Sequence, residues 1–231
     1  MSSLMMRRVM KRRSMGDPVP GYIARWTMDD GTAADETGTY DGTWAGATGL
    51  TTITGKVGNA QKPTWSSTTS GYAMTAASLP TIKGGLRSLA GWIKVHSNNA
   101  SRWFDQKGGF SITTSGGSVY LCLRDDTTDN TPFYYALNIS AFGTSDTWAH
   151  LGVVSDGVVT TSGTFAIYIN GEIVAPARAG GGGTCAVTTN EFKINGKNGL
   201  TSYYADVAYD DVRLYDFGLS STQMAALYAM G

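Results

Sequence analysis

From residue 21 onward the chain repeats one pattern: short runs of alternating apolar and polar side chains, separated by breaks rich in Gly, Asn and Asp. A period of two sends successive side chains to opposite faces of a strand, so each run predicts a β-strand buried on one side. The runs fall at residues 22–28, 71–75, 89–95, 102–106, 110–113, 118–124, 133–139, 148–155, 164–170, 172–175, 191–194 and 205–215. The clearest pair is Phe165-Ala166-Ile167-Tyr168-Ile169 and Glu172-Ile173-Val174, which meet at Asn170-Gly171. Asn and Gly both tolerate positive φ, so this junction predicts a type I′ hairpin. A helical period occurs only at the end, where Ser220 can cap and Met224, Leu227 and Tyr228 recur at helical spacing. Glycines 180–183 read as a flexible loop tip.

Composition agrees with many short strands and tight turns: 30 Gly and 12 Tyr accompany only 16% charged residues. A length of 231 residues suits a single sandwich. Charge divides the chain. Residues 1–20 hold Arg7, Arg8, Lys11, Arg12 and Arg13 against Asp17 alone, a net +4, while the remainder holds 13 basic and 17 acidic groups, a net −4. A basic arm on a mildly acidic domain is the asymmetry of an interaction tail. The arm ends at Gly16-Asp17-Pro18-Val19-Pro20, where two prolines mark a linker, so the division is residues 1–20 and 21–231. Leu4-Met5-Met6 is the longest apolar run near the start, too short for a secretory signal, and no run approaches the ~20 apolar residues of a membrane span. The expectation is a chain without signal peptide or span, with the arm retained and ordered. Cys122 and Cys185 lack the spacing of zinc or redox motifs and read as reduced core residues. A bridge between them needs Cα atoms within roughly 7 Å.

Seven segments, in order, resemble the laminin-G-like jelly roll of the concanavalin A-like superfamily. They are the opening strand Tyr22 to Met28 with Asp29-Asp30, the glycine loops Gly38 to Gly42 and Gly55-Lys56-Val57-Gly58-Asn59-Ala60, and Ser88-Leu89-Ala90-Gly91-Trp92-Ile93-Lys94 with its buried tryptophan. Trp148-Ala149-His150, Ile167-Tyr168-Ile169-Asn170-Gly171-Glu172 and Asp210-Asp211-Val212-Arg213-Leu214-Tyr215 with the terminal helix complete the set. The resemblance covers residues 21–231 and implies an all-β, two-sheet antiparallel jelly-roll sandwich with one short C-terminal helix. Fold alone does not fix function, because this architecture serves lectins, adhesion modules, glycosidase appendages and virion proteins.

Candidate chemistry narrows the choice. Some relatives are glucanases with a Glu-x-Asp-x-x-Glu strand, but Glu36, Glu172 and Glu191 are this chain's only glutamates and none is so arranged. His96 and His150 have no nucleophile placed by a motif, and the resembling strand makes His150 structural. The expectation is a protein that is not an enzyme. Strict alternation puts Asp210 on the face of Val212 and Leu214, where a carboxylate needs a partner. The resemblance implies a structural Ca²⁺ near the first and last strands, with Asp29, Asp30 and Asp210 as oxygen ligands; a salt bridge to Arg25 or Arg213, or turn amides, are the alternatives. Trp65, Tyr72, Trp103, Tyr134, Tyr135, Tyr203 and Tyr204 are candidate rings for stacking on sugars, and alternation sends one tyrosine of each pair inward. Trp26, Trp92 and Trp148 are assigned to the core.

In the arm, Met6, Val9 and Met10 would share a helical stripe beside Arg7, Arg8, Lys11, Arg12 and Arg13, a combination suited to an apolar groove with carboxylate or phosphate partners. Two readings follow. One is a structural or accessory protein of a large assembly, such as a tailed-phage capsid decoration, head fibre or tail appendage at the virion surface, docked on a protein scaffold through residues 1–20. The other is a soluble carbohydrate-binding module, with a cell-surface glycan as partner. The acidic domain argues against wrapping nucleic acid, although five basic residues suffice to touch a few phosphates.

Overall fold

The computed structural model describes residues 16–231 apart from 68, 83–84, 98, 107–108, 124–132, 144–145, 177, 183–190 and 198–201. Sixteen strands are present among the described residues: β1 (Ala24–Trp26), β2 (Gly42–Gly46), β3 (Leu50–Thr54), β4 (Asn59–Pro63), β5 (Tyr72–Ala76), β6 (Ser88–Val95), β7 (Ser101–Gln106), β8 (Phe110–Ser115), β9 (Ser118–Leu123), β10 (Phe133–Asn138), β11 (Trp148–Ser155), β12 (Phe165–Ile169), β13 (Glu172–Val174), β14 (Arg178–Gly180), β15 (Phe192–Ile194) and β16 (Val207–Tyr215). Helix α1 (Ser221–Tyr228) follows. They form two antiparallel sheets of eight strands. The first runs β13-β12-β11-β6-β16-β4-β3 with β1 also on β16, and the second runs β14-β10-β9-β8-β7-β15-β5-β2. This is the sandwich that the alternation implies. The Asn170-Gly171 turn has both residues at positive φ, 53° and 81°, and pairs Ile169 with Glu172 as a type I′ hairpin requires. Ser220 and Gln223 close a capping box on α1.

The sheets are joined by an aromatic stack drawn from both. Trp26 of β1 stacks on Phe192 of β15 at 5.7 Å, Phe104 of β7 lies 6.1 Å beyond, and Tyr209 of β16 meets Phe104 edge-on at 5.5 Å. Their neighbours Met74, Leu89, Ile93 and Leu214 are fully buried with them. A second apolar layer lies on the outer face of the first sheet, where Met224 and Leu227 of α1 cover Ala90, Tyr168 and Tyr215. Trp92 is buried as expected, though under α1 rather than between the sheets. Its ring lies 5.5 Å from Tyr228 and 5.2 Å from His150, with the Lys56 ammonium 4.9 Å from its centroid. Trp148, assigned to the core from sequence, is only half-buried at the start of β11.

Four strands escape the alternation rule. β2, β3 and β4 are rich in Thr, Gly and polar residues, and β14 contains Gly180 from the expected loop tip. The expected separation at residue 20 is also crossed by packing. Val19 is 1% exposed within the outer apolar layer, and the Asp17 carboxylate accepts two hydrogen bonds from Arg213, each 2.8 Å. Residues 17–19 therefore belong to the domain's packing. The arm residues Met6, Arg7, Arg8, Met10, Lys11, Arg12 and Arg13, like Cys185, lie outside the described residues; Cys122 is buried on β9. Among the described residues no helix is long and apolar enough to cross a membrane.

Two outcomes are expected. Trp92→Ala lowers the unfolding free energy by about 3–5 kcal/mol in denaturant titration, as for other buried aromatics. Truncation after residue 20 lowers it by about 2–4 kcal/mol, because it strips a partner from buried Arg213 and removes buried Val19, whereas truncation after residue 15 keeps this contribution.

Candidate functional site

The acidic residues proposed for a cation do not converge. β16 carries a bulge: its register on β6 shifts between Asp210 and Arg213, and Asp211 takes a positive φ of 48°. The extra residue reverses the alternation. Tyr209, Val212 and Leu214 face the interior, while Asp210 sits opposite Trp92 on the outer face, not on the face of Val212 and Leu214. There its Oδ2 accepts the backbone N–H groups of Lys56 at 2.6 Å and Val57 at 2.8 Å. Asp29 grips the same loop from the other side through the N–H of Asn59 at 2.7 Å. These two carboxylates explain the glycines, since a Cβ at Gly55 would collide with Asp210 and one at Gly58 with Asp29. Asp30 is turned to the amide and hydroxyl of Thr32. Calcium takes six to eight oxygens. This set does not fit it, because among the described residues no group of three or more acidic, His or Cys side chains is arranged to hold a metal ion. The turn amides hold Asp210 instead, although its Oδ1 has no hydrogen-bond partner.

Burial pushes the Asp210 carboxyl up to about 7, against the opposing hold of the two amides. His150, 2% exposed on β11 beside Trp92, is pushed down to about 4, chiefly by burial. Its Nδ1 has no hydrogen-bond partner, so packing rather than polar groups holds the ring on that side; the Asn170 side chain accepts the His150 N–H at 2.9 Å. Arg25 and Arg213 stand directly opposite each other on β1 and β16. Asp211 bonds both, Arg25 at 2.6 Å and Arg213 at 2.9 Å, and Glu36 accepts from Arg25 at 3.0 Å. The Tyr22 ring centroid lies 5.8 Å from each guanidinium carbon. This network engages Arg25, Glu36, Asp211 and Arg213 with one another.

The aromatic candidates separate sharply. A bulge between Arg102 and Phe104 sends both Trp103 and Phe104 inward, so Trp103 is 0% exposed against Phe142 and cannot meet a ligand. Tyr204 is also buried, over Gly71, where a Cβ would strike its ring. Tyr203 is 42% exposed. Tyr72 stacks on Trp44, both half-buried, and Trp65 is half-buried in the loop after β4. Tyr135 turns inward toward Phe165, and Tyr134 points outward from the second sheet.

Tyr204 packs over Gly71, next to Tyr72, and Tyr203 pairs with the start of β7 at the same end of the second sheet. An open cleft of about 390 Å³ lies there, lined among the described residues by Thr69, Ala100, Ser202 and Tyr203. Tyr203 occupies the left-handed region at φ 64°, a conformation that a non-glycine residue keeps only when its surroundings enforce it. The enforcing bonds are visible. Arg102 N–H donates to the Tyr203 carbonyl at 2.8 Å, and Lys197 N–H to that of Ser202 at 3.1 Å. The Lys197 ammonium lies 5.3 Å from the Tyr203 ring centroid.

Asn195, fully buried after β15, fixes the rest. Its Nδ2 donates to the Tyr72 carbonyl at 2.8 Å, and its Oδ1 accepts from Ala205 N–H at 3.0 Å and the Tyr209 hydroxyl at 3.1 Å. Sequence reasoning overlooked this residue; Asn195-Gly196, a turn pair directly after a strand, was the available signal. The result is an exposed aromatic ring on a held backbone beside two hydroxyl side chains, able to stack on an apolar ligand face while bonding its polar edge.

The two-sheet antiparallel sandwich defines the fold class. The family model described as Concanavalin A-like lectin/glucanases superfamily matches residues 66–225, and the chain belongs to that superfamily. Among curated proteins none matches. Solved structures share the fold. One is the botulinum neurotoxin serotype D binding domain, with TM-score 0.63, 16% identity, and coverage of 90% of this chain and 51% of that one. The serotype G binding domain gives 0.65, 14%, 91% and 51%. Domain 4 of AbnA, an extracellular GH43 arabinanase of Geobacillus stearothermophilus, in complex with arabinotriose, gives 0.61, 17%, 90% and 98%. The chain spans about half the length of the neurotoxin domains.

Asp210 supplies a pH test. Its raised folded-state pKa makes protonation favour the fold, so its contribution is present below the ordinary carboxylate range and lost as pH rises through about 7. His150 acts oppositely, its contribution being lost as pH falls from about 6.5 through about 4. Thermal melts of Asp210→Asn and parent, with and without Ca²⁺, are expected to show the variant gaining on the parent between pH 5 and pH 8, with no calcium effect on either.

Proposed function

We propose that the chain is a non-catalytic carbohydrate-binding module that docks on a larger assembly through its basic N-terminal arm. The observation that carries the sugar reading is Tyr203, an exposed ring held rigidly beside Ser202 and Thr69 in an open cleft. Rigid aromatic faces with a few fixed hydrogen-bonding groups suit pyranose and furanose rings, which have apolar faces and polar rims. The arabinotriose bound by the arabinanase domain makes arabinose-containing glycans the first probes. The absence of catalysis is supported by the glutamates. Glu36 is engaged by Arg25 and Tyr22, Glu172 lies at the exposed hairpin, and Glu191 precedes β15, so no two form a facing acid and nucleophile.

The charge division supports the docking half of the proposal: five basic residues and clustered methionines precede a domain of opposite net charge. A virion scaffold, capsid or tail, with the domain displayed at the virion surface, is the assembly this arrangement suits. Arginines favour carboxylate-bearing surfaces, and methionines adapt to apolar grooves.

Glycan-array screening followed by calorimetry tests the first half. Tyr203→Ala is expected to weaken the best glycan at least tenfold while leaving the thermal midpoint within about 2 °C, since the ring is exposed. Unchanged affinity would remove the cleft as the site. Co-sedimentation of full-length protein and a form lacking residues 1–15 with the parent particles tests the second; equal retention would overturn arm docking.

A further inference from the structure

On the outer side of the second sheet, the cross-strand neighbours Arg102, Thr113, Tyr120 and Ala136 form a row across β7, β8, β9 and β10. All four are half-buried, whereas in the next row Asp105, Ser111 and Cys122 are buried and Tyr134, opposite Cys122, is half-buried. The row starts beside the cleft: Arg102 lies two positions after the lining residue Ala100, and its backbone N–H donates to the carbonyl of the lining residue Tyr203. It reaches a second aromatic pair, Tyr120 and Tyr134, whose centroids are 5.9 Å apart at 62°. Both tyrosines point outward, since Val119, Leu121 and Tyr135 take the inward positions of the same strands. Gly180 on β14 makes room for this arrangement: a Cβ there would lie 2.7 Å from the Tyr134 ring and hydroxyl. Three strand spacings separate the ends of the row, about 14 Å.

We infer that Tyr120 and Tyr134 form a second sugar-stacking station and that the row between them and Tyr203 floors an extended groove, so that the ligand is a linear oligosaccharide chain rather than a single terminal sugar. This rests on the carbohydrate reading of the Tyr203 cleft. An edge-to-face pair fixes both rings without using every ring face, which leaves a platform for a sugar. Between the stations the Thr113 hydroxyl donates to the Ser101 carbonyl at 2.6 Å and keeps its lone pairs for a ligand, and the Arg102 guanidinium is held across the floor by Asp105 and Ser111.

The test is calorimetry with arabinotriose, longer arabino-oligosaccharides and the corresponding gluco- and manno-oligosaccharide series. Parent affinity is expected to rise with chain length in the series that binds. Tyr120→Ala and Tyr134→Ala each remove most of that rise, about tenfold for the longer chains, while affinity for the trisaccharide is retained and shows that the domain has folded. Thr113→Arg, which touches neither station, obstructs the floor and has the same length-selective effect. Tyr203→Ala weakens short and long chains alike. Affinity independent of length, or equal losses for short and long chains in the Tyr120 and Tyr134 variants, overturns the extended groove while leaving the Tyr203 site standing. A parent protein that binds none of the three series at any length overturns the carbohydrate reading, and the groove with it.

Discussion

The rest of the structure depends on one extra residue in β16. Strand side chains alternate strictly, so without the bulge at Asp211 the second half of the strand would present Arg213 to the core and Val212 and Leu214 to the outside. With it, Tyr209 closes the inner aromatic stack, Val212 and Leu214 continue the same core, and Asp210 and Arg213 stand outside. Each outer charge then ties the strand to a distant segment. Asp210 gathers the turn before β4, and Arg213 takes Asp17 and Asp211. Two guanidiniums directly opposite each other would repel; the carboxylate of the bulge residue itself lies between them.

Much of this architecture was legible where one physical signal acted alone. Ile167, Ile169 and the Asn170-Gly171 turn disclosed their hairpin because alternation and turn chemistry agree. Ser220 and Leu227 disclosed α1 in the same way. The strands from Gly42 to Pro63 were hidden because their burial comes from neighbours rather than from their own side chains: Thr51, Thr52 and Thr54 are exposed, and the sequence carries no apolar run there. Trp103 and Asp210 were misplaced for a shared reason. Each sits at a bulge, and parity counted along a strand fails at the first inserted residue.

The cleft was legible in its chemistry and hidden in its assembly. Two adjacent tyrosines at 203 and 204 suggested an exposed ring, but which one was exposed depended on a backbone turn into the left-handed region. That turn is stabilised by groups from β7, β15 and the segment entering β16, which meet only in the folded chain. Asn195 is the clearest case. As one polar residue after a short strand it predicts a turn; in the structure it joins three segments and carries no exposed surface.

The two ends of β16 serve different neighbours. Residues 202–205 lead from the cleft into Val207, and at the far end the Tyr215 hydroxyl bonds the carbonyl of Val19, where the N-terminal segment leaves the sheet. Nine residues of strand lie between, with β6 on one side and β4 and then β1 on the other. A tether pulled at the N-terminal segment against a ligand held in the cleft would therefore load this strand lengthwise, in shear, so that its rungs resist together instead of peeling one at a time.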